Sequence, residues 1–585
     1  MKPLSITPGI AAATDLAPVQ DLSPLQVLRL YPPHDQSLAT LLASRAATAP
    51  QREALAFGDQ SITYADLHGQ VLRAAAMYAA RGIRVGDRLG VMAHNHPSTV
   101  VTLLALARLG AVMVPVNPDY KPTEAGYVLG HAQVSGVLCE PACLPVVVAG
   151  IADMTPPPWL MLNTAPAAGG TPPAGPAQAG EAMADGEAAA LAATLPTFDL
   201  ALAGFTAAAV AAAAPAATGQ AADTCVFIYT SGTTGFPKGV MHSQRNLVLA
   251  GEGFVQRMHL QPHDRVMTIL PMFHINAIFY SLAGTLAAGA TLILMPRFSA
   301  STFWADAARH RATEANTIAA VTTILMRRPR GEFVPGHSLR KLYGAPFSAE
   351  TYEVFARDFG VPTLIEGYGM SEIPGALNNP YAGPHKVGSM GQPSTHPDPA
   401  IPLAELAIVD DDGHPMPDGE TGELVVRTPM VMQGYYRDAA QTQAAFHDGW
   451  FLTGDLAWRD ADGYFWFVAR KKDIIRKRGE NISGAELDRV VESHPDVQQA
   501  AAIPVPSPLG EDDILIAVVP RPGATPDAQT IAAWCTKHLA PIKRPRYIVF
   551  VDALPQTPTH RVAKFKMRGD RTLVERAVEV GGGAG

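Results

Sequence analysis

Short apolar runs alternate with helically spaced apolar positions along most of the chain. Arg88–Ala93 and Ala111–Val116 have the uninterrupted apolar character of buried strands, and Ser98–Leu109 between them reads as an apolar helix. Strand, helix, strand from Gln36 to Glu140 predicts βαβ units and a parallel sheet. The alternation returns at Thr224–Tyr229, Val266–Leu270 and Thr291–Met295, then a helix around Thr302–Arg311 and an apolar stretch at Thr317–Val321. After about Glu420 the pattern turns strand-rich, as in Glu423–Arg427 and the aromatic run Tyr464–Val468. The last section reads as a small α+β unit. Ser483 and Glu486 are spaced as a capping box ahead of the apolar face Leu487, Val490 and Val491. Strands are predicted near Ala500–Val505, Ile514–Val519 and Ile548–Val551, with a helix near Thr530–Leu539.

Length and composition narrow the class. A chain of 585 residues exceeds one compact core, so two or more domains are expected. A net charge of -8, with no Lys/Arg stripe interleaved with aromatics, argues against nucleic acid as a partner. The four cysteines (Cys139, Cys143, Cys225, Cys535) lack metal-ligand spacing and fit a reducing cytoplasm better than a disulfide framework. Residues 1–21 carry Asp15 and Asp21 and do not have the layout of a secretory signal. Leu200–Ala217 is Ala-rich and broken by Pro215, so no membrane span is expected. Residues from about 154 to 222, with Pro156–Pro158 and long Ala runs, read as a low-complexity surface insertion without chemistry.

The strongest chemical signal is Tyr229-Thr230-Ser231-Gly232-Thr233-Thr234-Gly235-Phe236-Pro237-Lys238-Gly239, directly after a β-run. Its glycines let backbone N–H groups surround phosphate oxygens, its hydroxyls add donors, and Lys238 adds a point charge for the β- and γ-phosphates. The P-loop lysine motif has Ser or Thr after the lysine; here Gly239 follows.

This string resembles the phosphate loop of the adenylate-forming superfamily of acyl-CoA synthetases, luciferases and peptide-synthetase adenylation domains, and further family motifs follow in order. Pro271-Met272-Phe273-His274-Ile275-Asn276-Ala277 is similar to the segment lining the acid pocket, which implies roles for His274 and Asn276 there. Tyr343-Gly344-Ala345-Pro346 and Glu366-Gly367-Tyr368-Gly369-Met370-Ser371-Glu372 resemble the adenine-binding walls. The resemblance implies stacking of Tyr368 on the base, Gly344 and Gly369 beside the acid, and Glu372 as the Mg²⁺ ligand; Ser371 stands where Thr is commoner. Asp455 matches the ribose-binding aspartate, Arg470 an arginine reaching the nucleotide, and Lys472 the hinge. Gly479, Glu480 and Asn481 resemble the segment that approaches the pantetheine of coenzyme A. Phe467–Ser483, Pro271–Ala277 and Arg297–Arg311 look especially like crotonobetaine/carnitine-CoA ligases.

The implied fold is α/β: a large N-terminal domain (residues 30–469) of α/β subdomains plus a β-rich subdomain, and a small mobile α+β C-terminal domain (470–585, core about 483–567). The implied activity is an ATP-dependent, AMP-forming ligation of a small carboxylic acid to CoA with Mg²⁺, in a cytoplasmic protein for which a homo-oligomer is left open. Two alternatives remain: delivery of the acyl group to a carrier protein in trans, and a non-catalytic nucleotide binder. The second is motivated by a departure. Where the family has Gly-Lys near the C-terminus, this chain has His560-Arg561, with Lys564 three residues on. Arg561 keeps the charge but not the shape of an ammonium, so either Arg561 acts directly or Lys564 takes the place of the usual catalytic lysine.

Overall fold

The computed structural model describes residues 21–164, 185–206, 210, 218–230, 237–477, 480–507, 512–556, 562–568 and 570–580. Two mixed sheets carry the larger part of the chain. The nine-stranded sheet runs in the order Gln392–Pro393, Ile373–Asn378, Thr363–Met370, Lys341–Gly344, Glu314–Asn316, Arg265–Thr268, Thr291–Leu294, Glu53–Phe57, Gln60–Thr63. Its six central strands, from Thr363–Met370 to Glu53–Phe57, are parallel to one another. The seven-stranded sheet has Val112–Val116, Arg88–Met92, Gly136–Cys139, Trp159–Leu162 and Thr224–Thr230 in parallel pairings. Lys238–Ser243 and Gly434–Tyr435 close it in antiparallel fashion. Apolar helices such as Pro97–Leu109, buried almost throughout, fill the space against these sheets, as parallel strands buried on both faces require.

A five-stranded antiparallel sheet follows, built around Trp450–Arg459, which pairs with Gly422–Arg427 on one side and Phe465–Arg470 on the other. The small C-terminal domain has its own core. Val497–Pro506, Asp512–Pro520, Tyr547–Phe550 and Val578–Glu579 form a four-stranded sheet packed by Gly484–Glu492 and Ala528–His538 around Leu487, Val491, Ile516 and Ile531.

Three expectations change. The segment Thr317–Val321 is not one element: the strand is Glu314–Asn316, and Ala319–Arg327 is a helix. The capping box is half made. Ser483 Oγ accepts from Glu486 N at 3.3 Å, but the Glu486 carboxylate takes Lys543 at 2.7 and 2.8 Å instead of closing the box. The supposed insertion also contributes to the core. Trp159–Leu162 is the edge strand of the seven-stranded sheet, and Phe198 and Leu202 are buried from the short helix Phe198–Ala203. Among the described residues no helix is long and apolar enough to cross a membrane.

Candidate functional site

Several residues singled out in the large domain, Thr230, Gly344, Ser371 and Glu372 among them, lie at or just beyond the C-terminal end of a strand, where open α/β sheets bind ligands. Thr230 ends Thr224–Thr230, and Lys238 opens the antiparallel partner strand directly opposite it, Thr230 pairing with Lys238 and Tyr229 with Gly239. The two ends of the string are thus paired across an antiparallel ladder; Ser231, Gly232, Thr233, Thr234, Gly235 and Phe236 lie outside the described residues. Lys238 Nζ stands 5.0 Å from the centroid of the Tyr435 ring, and Tyr435 OH donates to Glu372 Oε1 at 2.8 Å. Burial and the neighbouring Glu372 carboxylate push the Tyr435 phenol up, so it remains a donor. Tyr435 therefore brings the lysine and the glutamate of two distant motifs together. Sequence reading missed it; its signal was the short apolar-aromatic run Gly434-Tyr435-Tyr436.

The turn carrying Glu372 is braced from behind. His242, fully buried, donates from Nε2 to Ser371 O at 2.6 Å and accepts from Asn246 Nδ2 at Nδ1. A carbonyl can only accept, which fixes this tautomer. Burial brings the imidazole down to about 4 against the pull of the Ser371 carbonyl, so it is neutral. Asn246 also donates to Met430 O and Val431 O, and Met432 N donates to Glu372 O at 2.8 Å. Glu372 is 9% exposed, and Tyr435 occupies only Oε1. A single open carboxylate oxygen near Lys238 fits Mg²⁺, which takes one or two carboxylates and fills its other positions with phosphate oxygens and waters.

A second cluster lies across the mouth of the same strands. Asp455, buried in Trp450–Arg459, sits opposite Arg470 in the antiparallel ladder and meets Arg470 Nε at 2.7 Å through Oδ1. Its Oδ2 accepts from Tyr368 OH at 2.5 Å. Gly454, at φ +68°, lies where the strand's pairing with Gly422–Arg427 slips, just before this carboxylate, and Thr453 Oγ1 receives Asp455 N at 3.0 Å. The Tyr368 hydroxyl is thereby anchored, leaving its ring as the part that a base could meet. Glu366 accepts from Phe347 N at 2.7 Å and Tyr352 OH at 2.9 Å. It clasps the loop Gly344-Ala345-Pro346-Phe347 from within. Gly344 has no room for a side chain, since a Cβ there would lie 2.8 Å from Thr317 O.

On the acid side, His274 is half-buried in a turn closed by His274 N donating to Pro271 O. Its ring lies 4.4 Å from that of Phe273. Asn276 opens a π-helical turn, Asn276–Leu282, a local widening often found at functional sites. Its Oδ1 accepts from Asn316 Nδ2, which also reaches Ser281 Oγ, both at 2.9 Å. Gly369 lies against Gly375 and Tyr280: a Cβ on it would be 2.5 Å from Gly375 N and 3.2 Å from Tyr280 OH.

The ties around Lys472 change sides at that residue. Lys471 is held by Asp411 and Glu423 of the large domain, at 2.8 and 3.0 Å, whereas Asp473 takes Arg568 of the small domain at 2.5 Å. Lys472 lies between them in the 3₁₀ turn Lys471–Asp473. Glu480 and Asn481 belong to the strand Glu480–Ser483; Gly479 and Arg561 lie outside the described residues. Lys564 is not presented to the large domain in this arrangement. Its Nζ meets Asp488 Oδ2 at 2.5 Å at 12% exposure, and Asp488 Oδ1 accepts from Ala502 N at 2.6 Å. Burial pushes the Asp488 carboxyl up and Lys564 pulls it back.

Comparison with known proteins identifies the family. The model of the AMP-binding enzyme family matches residues 42–436, and that of the AMP-binding enzyme C-terminal domain matches residues 486–561. The sulfoacetate–CoA ligase of Cupriavidus necator is 34% identical over 547 residues, covering 92% of this chain and 99% of the relative. The crotonobetaine/carnitine–CoA ligase of Salmonella paratyphi C is 27% identical, covering 87% and 93%. The crystal structure of ATP-bound MatB from Rhodopseudomonas palustris superposes with a TM-score of 0.73 at 26% identity, covering 94% of this chain and 98% of that one. With a family model spanning well over half its length and relatives matched almost end to end, the chain belongs to the AMP-binding enzyme family.

Proposed function

We propose that the protein is an ATP-dependent, AMP-forming acyl-CoA ligase, and that the grouping of Lys238, Tyr435 and Glu372 with Tyr368, Asp455 and Arg470 is its nucleotide site. That convergence carries the reading: five separate segments from three sheets bring together a cation, an open carboxylate oxygen and a second carboxylate suited to sugar hydroxyls. The acid carboxylate attacks the α-phosphorus of ATP and pyrophosphate leaves, giving an acyl-adenylate. The CoA thiol then attacks the acyl carbonyl and AMP leaves.

Lys238 and the phosphate string hold the β- and γ-phosphates, and Asp455 takes the ribose hydroxyls, exchanging its contact with the half-exposed Arg470 for them. The Tyr368 ring backs the adenine. Glu372 Oε2 is the oxygen that would hold Mg²⁺, which when bound neutralises phosphate charge and favours departure of pyrophosphate. His274 and Asn276 orient the acid. The division of the chain at 469/470, with rotation about Lys472, would exchange the cation-bearing C-terminal turn for the thiol-facing segment at 479–481. The ion pair of Lys564 with Asp488 favours Arg561 as the cation that faces the forming adenylate. Use of ATP and CoA supports a cytoplasmic location.

The test is acid-dependent consumption of free CoA thiol with stoichiometric AMP. Glu372→Gln is expected to lower it by about 10²–10³ with an unchanged melting temperature. AMP formation without loss of CoA thiol would instead assign the acyl group to another acceptor.

A further inference from the structure

Arg257, near the end of the helix Gln244–Met258, is a buried cation without a counter-charge. It is 3% exposed. Its guanidinium donates to neutral oxygens only: NH2 to Gly375 O at 2.9 Å and Ser394 Oγ at 3.2 Å, and NH1 to Tyr343 OH at 3.3 Å. Its Nε has no hydrogen-bond partner, and among the described residues no carboxylate reaches it. The rings of Tyr343, Tyr280 and Phe254 surround it at 5.2, 5.3 and 5.8 Å. Aromatic faces offset part of the charge, but a desolvated guanidinium still lacks the anion that a low-dielectric site calls for.

The location makes that vacancy in the charge balance informative. Tyr343 immediately precedes Gly344, and Tyr280 lies on the π-helical turn that Asn276 begins. Gly375, at φ +62°, comes so close that a Cβ on it would be 2.4 Å from NH2. The acid-side wall is polar as well: Asn316 is fully buried, spends both Nδ2 bonds on Asn276 and Ser281, and leaves Oδ1 without a partner. A long alkyl acid would leave Asn316 Oδ1 unpaired against hydrocarbon, which is costly.

On the reading of this site as an acid–CoA ligase, we infer that the enzyme selects short acids bearing a second anionic group, a carboxylate or a sulfonate, and that Arg257 sets that preference. The reacting carboxyl lies by His274 and the phosphates, while the second anion faces the Tyr280–Tyr343 end of the pocket, where Arg257 supplies the opposing charge. Arg257 acts through the Tyr343 hydroxyl and its field in a site of low dielectric, where charge–charge terms are large.

The experiment compares acid-dependent ATP–pyrophosphate exchange for malonate, succinate and sulfoacetate with that for monomethyl malonate and butyrate. The wild type is expected to show kcat/KM at least about tenfold higher for the best dianion than for either monoanion. Arg257→Gln should lower the dianion value by about 10²-fold and leave the monoanion values within roughly threefold, whereas Arg257→Lys should retain part of the preference. A merely structural arginine would lower all acids by one factor, and that result at an unchanged melting temperature overturns the inference. If the Gln variant does not fold, the wild-type ratio decides, and a ratio of one or below overturns it. Exchange with monoanions alone overturns this inference and spares the ligase reading; exchange with no acid of either class overturns both.

Discussion

Lys341 and Arg257 are two deeply buried cations that meet at the strand Lys341–Gly344, and they differ in what surrounds them. Lys341, 2% exposed, starts the strand Lys341–Gly344 and meets Asp264 at 2.8 Å, Glu314 at 3.6 Å and Met258 O at 3.0 Å. Arg340 joins Asp264 at 2.5 Å. Arg257 contacts Tyr343 near the other end of that strand and meets no carboxylate. At the N-terminal end of the strand a buried charge is neutralised within the fold. At the C-terminal end, where ligands bind, the charge is left for something else to meet. On the inference above, Lys341 holds the sheet and Arg257 awaits a substrate anion; Arg45, 1% exposed and donating to Leu286 O and Ala287 O over the Tyr31 ring, is a buried guanidinium that the fold satisfies without a carboxylate.

The comparison is broken most directly at Lys341. Lys341→Met removes one of the two cations that meet Asp264 and the cation beside Glu314, and is expected to destabilise the protein by about 3 kcal/mol, read by urea unfolding. Activity of the remaining folded fraction should be unchanged. Equal stability of the variant would show that the cluster is not what closes this end of the sheet.

Lys564 extends the rule to the small domain. Because Asp488 holds it, Lys564→Ala should lower stability by roughly 1–3 kcal/mol while adenylation per folded molecule survives. Arg561→Ala should leave stability alone and lower adenylation by about 10²–10³. The reverse pattern in pyrophosphate exchange would make Lys564 the working cation and remove it from the structural class.

A smaller effect lies in Glu314. Burial outweighs the pull of Lys341 and pushes its carboxyl up to about 8, while burial raises Asp264 less than Lys341 and Arg340 lower it. Between 4.5, the ordinary value, and about 8 the folded carboxyl keeps a proton that the unfolded one has released. Unfolding then releases a proton, so this group's contribution to stability is complete below the lower value and is lost as pH rises through the upper one. Glu314→Gln removes that dependence. Its stability relative to wild type should rise by ~1–4 kcal/mol between about pH 5 and pH 8, measured by urea unfolding at both. A difference independent of pH would mean that Glu314 is ionised and truly paired with Lys341.

Much of the fold was legible in the sequence because parallel strands buried on both faces are written as unbroken apolar runs. Arg88–Ala93 became Arg88–Met92, and Thr291–Met295 became Thr291–Leu294. Trp159–Leu162 escaped notice because a four-residue strand set between Pro- and Ala-rich stretches carries too little pattern of its own. The site divided along the same line. Glu372, Asp455 and Lys238 lie in local strings that chemistry makes recognisable. Tyr435 and Arg257 matter only through partners 63 to 137 residues away, Glu372 for one and Tyr343, Gly375 and Ser394 for the other. No local spacing could mark an arginine as unpaired, because that depends on which distant segments the sheet brings to it.

The central claim is that this site joins an acid to AMP. The direct measurement mixes enzyme, Mg²⁺, ATP and malonate or sulfoacetate without CoA in a single turnover, then quantifies the nucleotide and phosphate products after an acid quench. The account predicts enzyme-bound acyl-adenylate and pyrophosphate in equal amounts, with adenylate lost when CoA is added and AMP and acyl-CoA appearing in its place. ADP with orthophosphate, or ATP recovered unchanged with every acid although the enzyme binds it, would contradict the account.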